Sequence, residues 1–144
     1  MQSASLCFNK VKNDCVKFIK SQETSTDKFK NKEKMIKSFF ILICFWISKK
    51  ANKKKPYFIG LAVGQATGKT TISSIIKIIL EKFFKLKVFK ISIDDFYKTR
   101  KERTNLSKKV HAMLMTRGVP GTHDIKVMLD CFNKVTNKRF KELK

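Results

Sequence analysis

Residues 57–71, YFIGLAVGQATGKTT, decide the fold class that this sequence predicts. The first seven of them form a nearly continuous apolar run, which is typical of a parallel strand buried on both faces. Residues 64–68 predict a turn, and residues 69–84 predict a helix. A tight turn at a helix N-terminus presents backbone N–H groups to phosphate oxygens. The stretch therefore predicts a phosphate-binding loop between a strand and a helix.

The residues that follow extend this pattern into a strand–helix–strand unit. Residues 88–93 predict a second buried strand, which ends in Asp94 and Asp95. The helix between the strands has an apolar side made of Ile72, Ile75, Ile76, Ile79, Leu80 and Phe83. This order is typical of an α/β fold with a parallel sheet flanked by helices, as in P-loop NTPases.

Three further segments predict helices. Residues 33–49 have one apolar side made of Met35, Ile36, Phe39, Phe40, Ile43 and Trp46. Residues 100–115 predict a helix, and residues 123–136 predict another, with Thr122 as N-cap and Ile125, Leu129 and Phe132 facing inward. Residues 1–37 have weak periodicity, so frayed helices or disorder are expected there.

The formal net charge of +22 raises the question of a nucleic-acid partner. The excess is almost entirely lysine, scattered through every segment. Nucleic-acid readers use arginine for bidentate contacts and concentrate charge on one element. Nucleic acid is therefore a disfavoured partner, although a basic nucleic-acid-binding module stays open as an alternative.

The cysteines and the apolar runs bear on the compartment. Four cysteines occur without a CxxC pair or a histidine at metal-ligand spacing, which favours reduced thiols. The longest apolar run, residues 39–47, is about half the roughly 20 residues of a membrane span, so a buried helix is expected. A membrane-surface anchor stays open as a minor alternative. The start has no signal-peptide pattern, and the predicted location is cytoplasmic.

The loop carries the candidate nucleotide-binding residues. Lys69 would neutralise the β- and γ-phosphates of ATP, and the Thr70 hydroxyl would bind Mg²⁺. The strict motif needs its first glycine at Val63, and Gly64 lies one position late. An ordinary turn that contains Gly-Lys-Thr is the structural alternative. The candidate ATP-binding residues are Gly64, Gln65, Ala66, Thr67, Gly68, Lys69, Thr70 and Thr71.

The acidic pair after the second strand is the candidate catalytic group. Ligands of open parallel sheets collect at the carboxyl ends of the strands. A carboxylate there can accept the proton of an attacking hydroxyl or hold Mg²⁺ through water. Helix caps are the alternative role for Asp94 and Asp95.

Three motifs follow one another along the chain: residues 65–71 (QATGKTT), residues 92–97 (SIDDFY) with Thr99, and residues 117–124 (RGVPGTHD). In this order they resemble the D-glycerate 3-kinase family of P-loop kinases, which is related to uridine kinase, phosphoribulokinase and pantothenate kinase. The resemblance implies an ATP-dependent kinase that phosphorylates a hydroxyl of a small hydroxy acid such as D-glycerate. It implies Asp94 and Lys69 as catalytic residues. The implied acceptor-binding residues are Asp95, Tyr97, Arg117, His123 and Asp124.

The resemblance also predicts the domain organisation. Residues 1–55 would be a lysine-rich extension, helical or partly disordered, and residues 56–144 the N-terminal half of a kinase domain. Val63 and Ala66 replace glycines common in the family's loop, and a truncated member is expected. A nucleoside-type kinase and a non-catalytic nucleotide-binding remnant are the alternative functions.

Overall fold

The computed structural model describes residues 2–51, 55–62, 64 and 68–137, and it divides into two units, Met1–Phe89 and Lys90–Lys144. The first unit contains α1 (Gln2–Ser21), α2 (Lys32–Met35), a π-helical turn (Ile36–Phe40), α3 (Ile41–Lys50) and α4 (Lys69–Lys82). The second unit contains a first 3₁₀ turn (Ile93–Phe96), α5 (Arg100–Lys109), a second 3₁₀ turn (Ala112–Met115) and α6 (Ile125–Thr136). The predicted division at residue 55 stays a prediction.

The core of the first unit begins with a regular stripe on α1. Cys7, Val11, Cys15 and Ile19 are buried, and they repeat every fourth residue. Residues four apart share one face of an α-helix, so this spacing gives α1 a continuous buried edge. Frayed helices or disorder were expected for residues 1–37; the structure forms one continuous helix over Gln2–Ser21, and residues 22–31 are not helical.

Helix α4 packs on α1 and α3 with its predicted apolar side. Ile75, Ile79 and Leu80 are buried in the same cluster as the α1 stripe, and Ile72, Ile76 and Phe83 pack against it. The apolar side predicted for this helix is therefore confirmed. Lys82 of α4 also pairs with Asp14 of α1 at 2.6 Å, but both side chains are about half exposed. Solvent screening leaves such pairs worth little, so apolar burial holds these helices together.

The segment from α2 to α3 buries a different side from the predicted one. Its buried side chains are Ile36, Phe40, Ile41, Cys44 and Ile47. Met35, Phe39 and Trp46, which were expected inside, are 40%, 67% and 55% exposed. Apolar residues occur on every side of this helix, so periodicity alone does not select the buried face. Within the described residues, no helix is both long enough and apolar enough to cross a membrane.

The predicted parallel sheet is wrong. The described residues contain no strand, and their β pairing is limited to an isolated antiparallel bridge between Tyr97 and His123. Phe58 and Ile59, which were expected inside a buried strand, are each 51% exposed. An apolar run becomes a strand only where neighbours pair with its backbone, and two short strands give a marginal sheet. The regular secondary structure in the described part of the first unit is helical.

Hydrogen-bonded caps organise the second unit. The first 3₁₀ turn has a capping box between Ser92 and Asp95, and α5 has one between Thr99 and Glu102. Asp124 caps α6, because its Oδ1 accepts a hydrogen bond of 3.0 Å from the Val127 N–H. Each cap satisfies N–H groups that a helix start leaves without partners.

Two predictions about α6 are wrong. Thr122 was expected as its N-cap, but Thr122 is fully buried and donates its hydroxyl hydrogen to the Val119 carbonyl at 2.6 Å. Ile125 and Leu129, expected to face inward, are 53% and 56% exposed. Phe132 has a tilted ring contact with Phe96, with 6.5 Å between the centroids. An amphipathic pattern shows which face can be buried, but packing decides whether it is.

Candidate functional site

The first half of the candidate site is the N-terminus of α4. Gly68 lies immediately before the helix with φ 78° and ψ 28°, in the left-handed region where glycine is favoured. Lys69 and Thr70 form the exposed start of the helix, and its first turn contains no acidic residue. The helix macrodipole and the first N–H groups favour an anion at this position.

Part of the predicted loop is not described. Val63, Gln65, Ala66 and Thr67 lie outside the described residues, so their predicted contacts with ATP stay predictions. Gly64, by contrast, is described and exposed.

Two threonines follow Lys69 in the first turn of α4. The Thr70 carbonyl accepts a 3.0 Å hydrogen bond from the Ser73 hydroxyl. The Thr70 residue is exposed, whereas Thr71 is half-buried. Mg²⁺ in nucleotide sites is held largely by phosphate oxygens and water, with few protein ligands. The exposed Thr70 hydroxyl fits that role, and no cluster of three metal-binding side chains occurs among the described residues.

The acidic pair lies in the first 3₁₀ turn of the second unit, and its two carboxylates have different surroundings. The Asp95 Oδ2 accepts a hydrogen bond of 3.2 Å from the Ser92 N–H, so this carboxylate serves the cap of the first 3₁₀ turn. Asp94 is exposed, and its backbone N–H donates to the Ser92 hydroxyl at 3.2 Å. The capping alternative raised from the sequence therefore describes Asp95, whose carboxylate is already engaged.

Three predicted acceptor-side residues form one stack. The rings of Tyr97 and His123 are stacked with 4.0 Å between centroids and an interplanar angle of 26°. The Arg117 guanidinium carbon lies 5.4 Å from the centroid of the Tyr97 ring. A guanidinium at this distance from an aromatic ring is a cation–π contact. The stack holds an exposed, permanently charged group beside two aromatic rings.

The backbone fixes the register of this stack. The Asp124 N–H donates to the Phe96 carbonyl at 2.7 Å, and the Lys98 N–H donates to the Thr122 carbonyl at 2.9 Å. These bonds flank the bridge between Tyr97 and His123 on both sides. Asp124 lies beside the stack, but its carboxylate caps α6. A buried edge of the stack, the His123 Nε2 atom, has no hydrogen-bond partner among the described residues.

The turn between Arg117 and Thr122 depends on two glycines. Gly118 and Gly121 have φ values of 94° and 91°, a region that side-chain-bearing residues rarely adopt. A Cβ on Gly118 would also lie 4.0 Å from the Tyr97 hydroxyl oxygen. The Gly-Val-Pro-Gly sequence therefore provides the backbone shape that brings Arg117 back to Tyr97.

One residue that matters to this geometry was missed. Arg103 of α5 is only 8% exposed, and it donates hydrogen bonds to the Lys98 and Met115 carbonyls. The available signal was an arginine in a chain whose basic residues are mostly lysine. A planar guanidinium with several donors can serve two carbonyls from a buried position, which an ammonium does less well.

Comparison with curated proteins identifies relatives. The chain is 36% identical over 88 residues to a probable ATP-dependent kinase of Saccharomyces cerevisiae, TDA10, covering 58% of this chain and 30% of that protein. It is 36% identical over 91 residues to the chloroplastic D-glycerate 3-kinase of Arabidopsis thaliana, covering 60% of this chain and 20% of the relative. The chain is a relative of known kinases.

A bacterial enzyme extends this relationship. The pantothenate kinase of Streptococcus suis is 32% identical over 92 residues, covering 61% of this chain and 28% of that enzyme. The resemblance drawn from the motifs is thus confirmed, since a D-glycerate 3-kinase and a pantothenate kinase are both among the relatives. The matched region spans less than a third of the length of these kinases. No family model matches the chain, and no solved structure matches it.

Proposed function

We propose that this chain is an ATP-dependent kinase that transfers the γ-phosphate to a hydroxyl of a small hydroxy acid, with D-glycerate as the acceptor. The observation that carries the proposal is the stack of Arg117, Tyr97 and His123. An exposed guanidinium held against an aromatic ring presents a fork of N–H donors, which suits bidentate binding of a carboxylate. The kinase relatives, one of them a D-glycerate 3-kinase, support the reaction class.

The nucleotide would bind at the start of α4. The loop from Gly64 to Thr71 would surround the phosphates with backbone N–H groups, and Lys69 would balance their charge. The Thr70 hydroxyl would be a ligand of Mg²⁺, which when bound reduces the repulsion between the phosphates and an incoming oxygen. The left-handed backbone at Gly68 supports phosphate binding by this loop, because it turns the chain directly into the N-terminus of α4.

The acceptor would bind in the second unit. Arg117 would hold its carboxylate beside the stacked rings of Tyr97 and His123. Asp94 would accept the proton of the attacking hydroxyl. Asp95 is a poorer candidate for that step because its carboxylate already accepts the Ser92 N–H. Tyr97, Asp95 and Asp124 would shape the acceptor site. The cytoplasmic location of the protein stays a prediction.

A transfer assay with two acceptors tests this proposal. The chain is incubated with Mg²⁺ and γ-labelled ATP, together with either D-glycerate or uridine. Labelled phosphoglycerate without labelled uridine monophosphate is the expected result, because Arg117 favours an acceptor with a carboxylate. Transfer to uridine alone would instead support the nucleoside-type kinase. ATP binding without any transfer would support the non-catalytic nucleotide-binding alternative.

The base is tested in the same assay. Asp94→Asn keeps the shape of the side chain but cannot take the proton, so transfer should fall by about 10²–10⁴-fold while Mg–ATP binding stays near the parent value. Asp95→Asn should cost less, since an amide oxygen can still accept the Ser92 N–H. Equal rates for Asp94→Asn and the parent would contradict the assignment of Asp94 as base.

A further inference from the structure

A buried arginine is hydrogen-bonded to the segments that flank the stack of Arg117, Tyr97 and His123. The Arg103 side chain extends from α5, and the residue is 8% exposed. Its Nε donates to the Lys98 carbonyl at 3.2 Å, and its Nη1 donates to the Met115 carbonyl at 3.0 Å. A buried charge is costly unless its donors are satisfied, so these two bonds define the position of the guanidinium.

The two carbonyls belong to the segments that carry the stack. Lys98 directly follows Tyr97, and Met115 lies two residues before Arg117. The Lys98 N–H is also bound, to the Thr122 carbonyl next to His123. One guanidinium therefore joins the backbone on the Tyr97 side to the backbone on the Arg117 side.

We propose that Arg103 is a positioning residue that holds Tyr97 and Arg117 in stacking register and thereby orients the Arg117 guanidinium for an acceptor carboxylate. Arg103 acts through the backbone and does not itself touch substrate. The register follows from the contacts within the second unit, and its use in acceptor binding rests on the proposed function. A lysine at position 103 keeps the charge but lacks the planar fork that reaches both carbonyls.

The two histidines of the chain provide a direct readout of the register. His123 stacks on the Tyr97 ring, so its ring protons should be shifted upfield by the ring current. His111 makes a local contact through its Nδ1, which accepts from the Met113 N–H at 3.2 Å. Histidine-labelled protein is compared by ¹H–¹³C NMR for the parent, Arg103→Lys and Arg103→Met. Arg100→Lys is the matched control, because Arg100 is an exposed arginine on the same helix.

The expected result is a loss of the upfield shift of His123 in both Arg103 variants, with unchanged His123 signals in Arg100→Lys. Amide-exchange protection of α5 and α6 should persist in Arg103→Lys, which separates positioning from folding. In the transfer assay, Arg103→Lys should raise KM for glycerate and leave the affinity for Mg–ATP unchanged.

Two results would overturn the proposal. Unchanged His123 signals in both variants would show that the stack does not depend on Arg103. If both variants lose the upfield shift of His123 and also lose the amide-exchange protection of α5 and α6, Arg103 is needed for folding and not for positioning. If the parent transfers no phosphate, the proposed function fails, but the NMR comparison still decides whether Arg103 sets the register.

Discussion

The two units of this molecule are stabilised in different ways. The described part of the first unit buries twelve side chains of one apolar cluster along α1, α3 and α4 and the π-helical turn. In the described part of the second unit, Phe96 is the buried apolar side chain, and the other two buried residues are Arg103 and Thr122. Hydrogen-bonded caps and the bridge between Tyr97 and His123 take the place of an apolar core there.

This difference separates stability from geometry. Apolar burial is non-directional, so the first unit should tolerate substitutions that keep side-chain volume. Substitutions that remove buried apolar area should lower its stability in proportion to the area lost. A hydrogen bond needs both partners at defined distances, so the second unit depends on particular side chains. Two of the three recognised motifs, SIDDFY and RGVPGTHD, lie in the second unit, where their residues also serve as caps and turn formers.

The largest expected effect comes from removing apolar volume in the first unit. Ile79→Ala should lower the free energy of unfolding by about 2–5 kcal/mol, because Ile79 is fully buried and leaves a cavity. Urea unfolding followed by the fluorescence of Trp46, the single tryptophan, measures it, and amide exchange across α6 measures the second-unit variant, because Trp46 lies in the first unit. The matched change in the second unit, Ile125→Ala, removes the same atoms from a 53% exposed side chain and should cost within about 0.5 kcal/mol. Comparable losses from the two substitutions would contradict the contrast between the units.

Thiol reactivity gives a second contrast. Burial raises the pKa of Cys7 to about 11, and burial, with the charge of Asp14 as a smaller cause, raises that of Cys15 to about 12. Burial likewise raises the pKa of Cys44 to about 12. Cys131 in α6 is half-buried. In a native alkylation assay at pH 8, Cys131 should react first, and the three buried thiols should react only as the first unit opens. Early labelling of Cys15 by mass spectrometry would contradict the packing of α1.

The same thiols predict a pH dependence of the first unit. A thiol pKa raised on folding stabilises the native state fully below the unfolded pKa, near 9. Above that pH the unfolded thiolate forms while the folded thiol stays protonated, so the free energy of unfolding falls as pH rises towards 12. Lysines also titrate in this range, so Cys44→Ala is the reference, and the parent should lose stability more steeply than this variant. If the free energy of unfolding falls equally steeply with pH in the parent and in Cys44→Ala, the raised pKa of Cys44 is contradicted.

A smaller effect is expected from a cap in the second unit. Thr99→Ala removes the hydroxyl that accepts the Glu102 N–H at 3.3 Å, and it should cost about 1 kcal/mol in the stability of α5. Thr99→Ser keeps the hydroxyl and is the control. Amide exchange across α5 measures the loss, and equal protection in Thr99→Ala and Thr99→Ser would show that the capping box does not hold α5.

The sequence predicted helices better than it predicted their surroundings. The helix at residues 69–84 is observed as α4, with the expected apolar side buried. The pattern identified the buried side of α4 because polar residues on the other side leave a single apolar face to bury. The segment from α2 to α3 is apolar on every side, so only contact with α1 and α4 selects the face that is buried.

The sequence pattern alone could not determine whether a parallel sheet forms. Residues 57–62 and 88–92 have the composition of strands, but composition does not show which backbone groups will pair. The site divides in the same way. The motifs indicated Tyr97, Arg117 and His123 by resemblance, and the structure brings these three together. Arg103 was missed because a buried arginine bound to backbone carbonyls leaves no periodic signal in the sequence.

The most direct test of the central claim is Mg–ATP binding at the start of α4, measured by calorimetry on the parent, Lys69→Ala and Lys77→Ala. The chain has a net charge of +22, so an anion such as ATP is attracted wherever it approaches. Lys77→Ala removes the same charge from the same helix and controls for that general attraction. We expect Lys69→Ala to weaken binding by about tenfold or more, the value of a charge-assisted contact to phosphate, with Lys77→Ala close to the parent. Equal affinities for all three proteins, or equal losses in the two variants, would contradict a phosphate-binding loop at Lys69.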